Sequence, residues 1–376
     1  AYSSHNQQSY FGLRTYDIKQ QSYYSNLILN SIISNTRNKF ATGLNFAYDN
    51  YTELVNQVDV SRIDNSVGAF FEYTFDDNDK FSYILGMRAD YHNRLGAFVT
   101  PRLHVRYNPW EKSVLRFSAG RGKRAANIYA ENQQLFGSSR VFSVLDTEGK
   151  LYGLNPEIAW NYGMSFTQNF KLFDKSADVT IDFYRTDFQN QAVVDVMQSP
   201  QQVVFYNLKG DSYANSLQVD FNVEIIKHLN LRTAYKYYDI STDYVSGSYQ
   251  RPLQAKHRFF GNLEFATHIK EKGQQWKFDY TLNWLGKQQL PTTATNPVAD
   301  RLPEFSPSFT VMNAQITRTF SSTFEMYIGG ENIGNYKQDN AILGEHNPFG
   351  AHFDTSIVYA PIFGQMYYAG LRFKIK

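Results

Sequence analysis

Between Val99 and Asn108 the residues sort by parity. Val99, Pro101, Leu103, Val105 and Tyr107 fall on one face, and Thr100, Arg102, His104, Arg106 and Asn108 on the other. A helix would group residues three and four apart, so a sustained period of two specifies a strand with one apolar and one polar side. After Asn108-Pro109-Trp110-Glu111 the alternation restarts, with Leu115, Phe117 and Ala119 against Arg116, Ser118 and Gly120. The stretch therefore reads as an antiparallel hairpin with a short turn. The same pattern predicts strands at 20–33, 39–51, 66–75, 80–92, 157–170, 176–184, 217–225, 229–239, 257–269, 276–285, 308–320, 323–331 and 366–375. With the hairpin this makes about 15 strands, most near the ~9–11 residues that cross a bilayer at a tilt. The first twenty residues are polar and only partly periodic, and read as a loop leading into a strand.

The connections alternate in length. Short turns fall near 34–38, 76–79, 108–112, 171–175, 226–228, 270–274 and 320–322. On the other side lie long connections near 52–62, 123–155, 189–210, 241–255, 288–307 and 333–364, with 93–96 the one short exception. A soluble sandwich has no reason to gather its long loops at one end, whereas an outer-membrane barrel has short periplasmic turns and long external loops. The 28 Tyr and 30 Phe suit aromatic girdles, and pairs such as Phe75 and Phe81, Tyr107 and Trp110, and Phe320 and Phe324 flank the short turns. No stretch approaches the ~18 apolar residues of a membrane helix. The fold class predicted is all-β, a transmembrane antiparallel β-barrel.

The strings PRLHVRYNP and LRFSAGRGKRAANIYAEN, followed by LNPEIAWNYGMSF, ENIGNY and the C-terminal FGQMYYAGLRFKI, resemble the barrel of TonB-dependent outer-membrane receptors. Ala126 stands where that family commonly has a proline, and the chain ends Ile375-Lys376 where an aromatic is usual. The resemblance covers essentially the whole chain, and its motifs are structural rather than catalytic. It implies a 22-stranded barrel with a plugged lumen, in the outer membrane of a Gram-negative bacterium. It also implies active import of a scarce solute, a siderophore, vitamin, metal complex, glycan or peptide, with energy transmitted by TonB. Expected partners are the TonB complex through an N-terminal region, outer-membrane lipid, the solute and a surface lipoprotein.

Strand parity points the same way. If the last strand descends to the periplasm, so does the one at 20–33, giving an odd number where bacterial single-chain barrels have even ones. Residues 1–376 are therefore expected to be the C-terminal portion of the barrel, with the plug and first strands N-terminal to them. The chain begins at Ala1 rather than Met, which fits a processed protein or a piece of a longer one.

Candidate sites follow from these placements. Arg102, His104, Arg106 and Arg116 lie on the polar face and are expected in the lumen, holding a plug, lining a solute path, or sitting as hydrated wall charges. Tyr129, Asn132 and Phe136 in one long loop, and His346 and His352 in another, are the expected ligand contacts. The loop GEHNPFGAHFD, with His346, His352 and Asp354, has no recognised metal-site spacing. The turn FDDNDK lacks the Gly and distal Glu of a calcium loop. Eight scattered His and no Gly-x-Ser-x-Gly argue against an enzyme. The basic pair Lys123-Arg124 suits an anionic solute or lipopolysaccharide, and a net charge of +2 without a basic run gives no reason to expect nucleic acid or a cofactor. A passive porin-like channel is the alternative, and would show its whole barrel in about this length.

Overall fold

The computed structural model describes residues 1–375. Alternating side chains and turn residues generate twenty-one strands. The first eight are β1 (Tyr2–Phe11), β2 (Arg14–Ile32), β3 (Asn38–Val55), β4 (Val58–Asp59), β5 (Arg62–Asp76), β6 (Phe81–His92), β7 (Gly96–Tyr107) and β8 (Ser113–Arg124). Next come β9 (Val141–Val144), β10 (Glu157–Leu172), β11 (Lys175–Asn190), β12 (Ala192–Asp195), β13 (Gln202–Asn207), β14 (Ser212–Ile226) and β15 (Leu229–Tyr244). The last are β16 (Gly247–Gln250), β17 (His257–Ala266), β18 (Gln275–Leu285), β19 (Phe309–Thr319), β20 (Phe324–Glu331) and β21 (Met366–Phe373). Eighteen of them form one sheet, and leaving out the short β4 and β16, sixteen follow one another as an antiparallel meander. Among the described residues β1 and β21 are not paired with each other.

The apolar face points outward. On β5 and β6, Val67, Phe71, Leu85, Met87 and Tyr91 are each about half exposed, while Asp64 and Asp90 on the opposite face are buried. On β7, Leu103 is exposed with Val99 and Tyr107. The apolar side chains that are buried lie almost entirely at the long-loop end, so among the described residues the sheet has no apolar interior of its own. This is the inverse of a soluble sandwich, and it is what a wall between lipid and a hydrated lumen requires.

β2 and β3, at 19 and 18 residues, exceed what a bilayer needs. Their outward rows show why. Below Tyr23 and Tyr48 these rows carry Leu27, Leu29, Leu44 and Phe46; above them they carry Lys19, Gln21, Asn50 and Thr52. The apolar band ends at the tyrosines, and the upper halves stand beyond it. β1 pairs only with this upper half, from Tyr2 opposite Tyr23 to Phe11 opposite Arg14. The first twenty residues are thus a hairpin rather than a loop, and the meander has sixteen strands rather than about 15. Along residues 25–32 the free edge of β2 has no strand partner among the described residues.

The turns at the opposite end are tight. Leu172 pairs with Lys175, leaving a two-residue connection in which Phe173 (φ 50°) and Asp174 (φ 61°) both adopt positive φ. That is the type I′ geometry whose twist matches the flanking strands. Leu103 and Val105 face Ala119 and Phe117 across the β7–β8 hairpin, as the alternation predicts.

Candidate functional site

The long connections at the outer end fold on one another. Residues 130–137 form a 3₁₀ segment, and β13 pairs antiparallel with β12 and parallel with β9, joining two loops in a three-stranded sheet. Stretches 123–155 and 189–210, read from sequence as long connections, thus contain ordered structure. Ile128, Leu135, Leu154, Val203 and Phe205 form its apolar core, ringed by Tyr129, Phe142 and Tyr152. Phe136 crosses to a second cluster with Tyr16, Ile18 and Val55, seating the loops on the rim of β2 and β3.

A buried polar network fixes the same junction. Glu53, fully buried on β3, accepts hydrogen bonds from Tyr16 (3.0 Å) and Tyr152 (2.6 Å) and pairs with Arg62 at 2.8 Å. Arg62 also pairs with Asp64 at 3.0 Å, donates to Asn127, and lies 4.0 Å over the Tyr51 ring. Removing one partner would strand a charge away from water, so the members hold one another in place. Burial, then the neighbouring Glu53 carboxylate, raises the Tyr152 hydroxyl pKa above its ordinary value of 10.0.

A second buried pair crosses the mouth. Arg140 Nε lies 2.9 Å from Asp354 Oδ2, and its Nη1 donates to the Ser199 carbonyl at 3.0 Å. Backbone bonds run alongside, from Ser139 N to the Phe353 carbonyl (2.7 Å) and Thr355 N to the Gly137 carbonyl (3.0 Å). Gln201, Asn296 and His352, from three loops, meet through bonds of 2.8–3.3 Å. The last loop also reaches the β1–β2 turn: a Cβ on Gly12 (φ 66°) would fall 2.6 Å from the Phe349 ring. The result is a canopy over one end of the lumen.

The predicted contact residues fall in several environments. Tyr129 is half-buried in the aromatic core. Asn132 donates to the Ile128 carbonyl at 2.8 Å and sits at a kink in the 3₁₀ segment. Phe136 is 1% exposed and packs in the second cluster with Tyr16, Ile18 and Val55. His346 is exposed, whereas His352 is tied into the loop junction. Arg102, His104, Arg106 and Arg116 share the inner face. Arg102 pairs with Glu72, while Arg106 and Arg116 lie opposite each other across the β7–β8 ladder with no carboxylate partner among the described residues. Glu53, Arg62 and Arg140 escaped notice in the sequence because Tyr152, Asn127 and Asp354, which close over them, stand 99, 65 and 214 residues away in the chain.

An outward apolar band, an inner polar face, tight turns at one end and a knitted canopy at the other define an outer-membrane receptor barrel. The family model described as "TonB dependent receptor-like, beta-barrel" matches residues 1–333, and the chain belongs to this family. It is a barrel of the outer membrane whose class serves in reception and transport. Among solved structures, the copper transporter OprC is similar at 12% identity and TM-score 0.70, with 96% of this chain and 57% of that one covered. A mutant of the ferric enterobactin receptor PfeA from Pseudomonas aeruginosa, in complex with enterobactin, is similar at 12% identity and TM-score 0.65 (96% and 55%). The siderophore receptor PirA from Acinetobacter baumannii is similar at 13% identity and TM-score 0.63 (96% and 55%). The chain spans about half the length of these structures. No sequence among curated proteins matches.

Proposed function

We propose that this chain forms the C-terminal part of the barrel of an active-transport receptor, which captures a scarce solute at its canopy and admits it with energy delivered through TonB. The observation that carries this reading is the canopy itself. Loops 214 residues apart are pinned by a buried ion pair over the lumen, which a freely open pore would not need. The free edges at residues 25–32 and on β21 add to it, because backbone groups at lipid depth require partners; further strands fill that gap. Arg106 and Arg116, side by side without an acid, suit an acidic surface of a plug or an anionic solute. Outer-membrane lipid contacts the apolar band, and a surface lipoprotein has the exposed outer faces of the loops as its docking area.

The test is uptake by the full receptor in cells starved for candidate solutes. Import should stop when the TonB system is removed while surface binding persists. Uptake that continues at equal rate without TonB would favour the porin-like channel.

A further inference from the structure

The inner wall carries a second pair of facing cations, at the canopy end. Lys236 on β15 stands directly opposite Arg258 on β17, one residue below Tyr237 opposite His257. Their chain neighbours Tyr235 and Phe259 belong to the outward, exposed face, so both cations point into the lumen. Among the described residues neither forms an ion pair; the pairs along these strands, Lys175 with Glu224 and Lys256 with Asp239, take other groups. Arg258 Nε is buried and meets no acceptor.

The surroundings leave this charge unanswered. In the same row Gln218 stands beside Lys236 and Leu285 beside Arg258. Below them on the same face Ala234 is opposite Phe260, and above them the Tyr238 ring centre lies 5.7 Å from the Arg258 guanidinium carbon. The nearest acids on this face are Asp182, beyond Gln218, and Asp220, which accepts a hydrogen bond from Gln218. Like charges set directly opposite on a ladder work against the fold. Over this part of the wall the canopy closes: Leu253 N donates to the Gln289 carbonyl at 2.9 Å and Gly286 N to the His257 carbonyl at 2.8 Å, joining the connection that enters β17 to the one that leaves β18.

We infer that Lys236 and Arg258 bind an oxyanion, a carboxylate or a phosphate, borne by the imported solute just beneath the canopy. The inference rests on the transport reading above and names the chemistry of its cargo. A planar guanidinium fork facing a compact ammonium offers two sets of charge-assisted donors to one oxyanion, and the oxyanion relieves the repulsion between them. The Tyr238 and Phe260 rings give the apolar remainder of such a solute a surface to lie against. The pair sits at the end from which solute arrives, which favours cargo over a fixed acid of the plug.

The test titrates the full receptor in detergent, by calorimetry, with citrate, with pyrophosphate and with the neutral ester triethyl citrate. One or both anions should bind and the ester should not; which anion binds distinguishes a carboxylate site from a phosphate site. K236Q/R258Q should weaken binding roughly tenfold or more, and Lys80→Gln, in the exposed β5–β6 turn, should leave it unchanged. Binding of the ester equal to that of citrate, no binding of either anion, or no effect of the double variant would each overturn the site. So would a zero-length carbodiimide cross-link from Lys236 to a plug carboxylate that neither anion blocks, because the pair would then belong to the plug. Uptake that ignores TonB in cells whose receptor still binds the anion would instead overturn the transport reading. If the double variant fails to fold, Lys236→Gln alone and the charge-keeping Lys236→Arg provide the comparison, the first losing anion and the second keeping it.

Discussion

Arg140 and Asp354, 214 residues apart, form a 2.9 Å ion pair in which both side chains are almost wholly buried. Neither loop alone can shield its charge, so each makes the other's position obligatory. Asp354→Ala leaves the guanidinium buried without its counterion, at a local cost of about 3–5 kcal/mol. Amide exchange across 343–356 should rise sharply while the barrel's unfolding midpoint stays put. Unchanged exchange would show that the pair does not hold the canopy.

Leu103 and His104 are sequence neighbours on opposite faces of β7. Leu103→Arg sets a charge into the apolar band and should destabilise by roughly 2–4 kcal/mol if it lies near the midplane. His104→Arg, in the hydrated interior, should cost much less. Equilibrium folding into lipid vesicles reads both, and equal losses would reverse the assigned faces.

The Phe173-Asp174 turn holds two non-glycine residues at positive φ. Each such residue bears a penalty on the order of 1–2 kcal/mol. Replacing the pair with Asn-Gly, which suits type I′ geometry, should raise stability by about 1 kcal/mol; denaturant midpoints in vesicles measure it.

Tyr152 is raised above its ordinary pKa by burial and by Glu53. A raised pKa means its contribution is complete below about pH 10, the unfolded value, and is lost as pH climbs toward the folded one. The canopy should therefore loosen under alkali, seen as increased proteolysis of the outer loops above about pH 10. Tyr152→Phe should blunt that dependence while slightly weakening the junction at neutral pH.

Most of the wall was legible because lipid on one side and water on the other impose a period of two, as at Leu103 and His104. The hairpin of β1 was not, for the same reason inverted. Its outward Ser4, Asn6 and Gln8 and its inward His5, Gln7 and Ser9 are all polar, since this part stands above the apolar band and has no contrast to display. β12 and β13 were missed because AVVD and QVVFY are mostly buried on both faces and read as continuous runs. Phe136 is expected among the ligand contacts only by its position in a long loop. Only the structure shows Tyr16 and Val55 enclosing it. Arg140 carries no local signal at all, because its partner arrives from the far end of the chain.

The strand lengths make the parapet uneven. β2 and β3 rise well beyond the tyrosine row, whereas β20 and β21 have only eight residues each. A bulky visitor from the medium therefore meets a tall strand-built flank on one side and, on the other, short strands topped by the 333–364 loop. Antibodies and proteases should find their first purchase on the projecting hairpins.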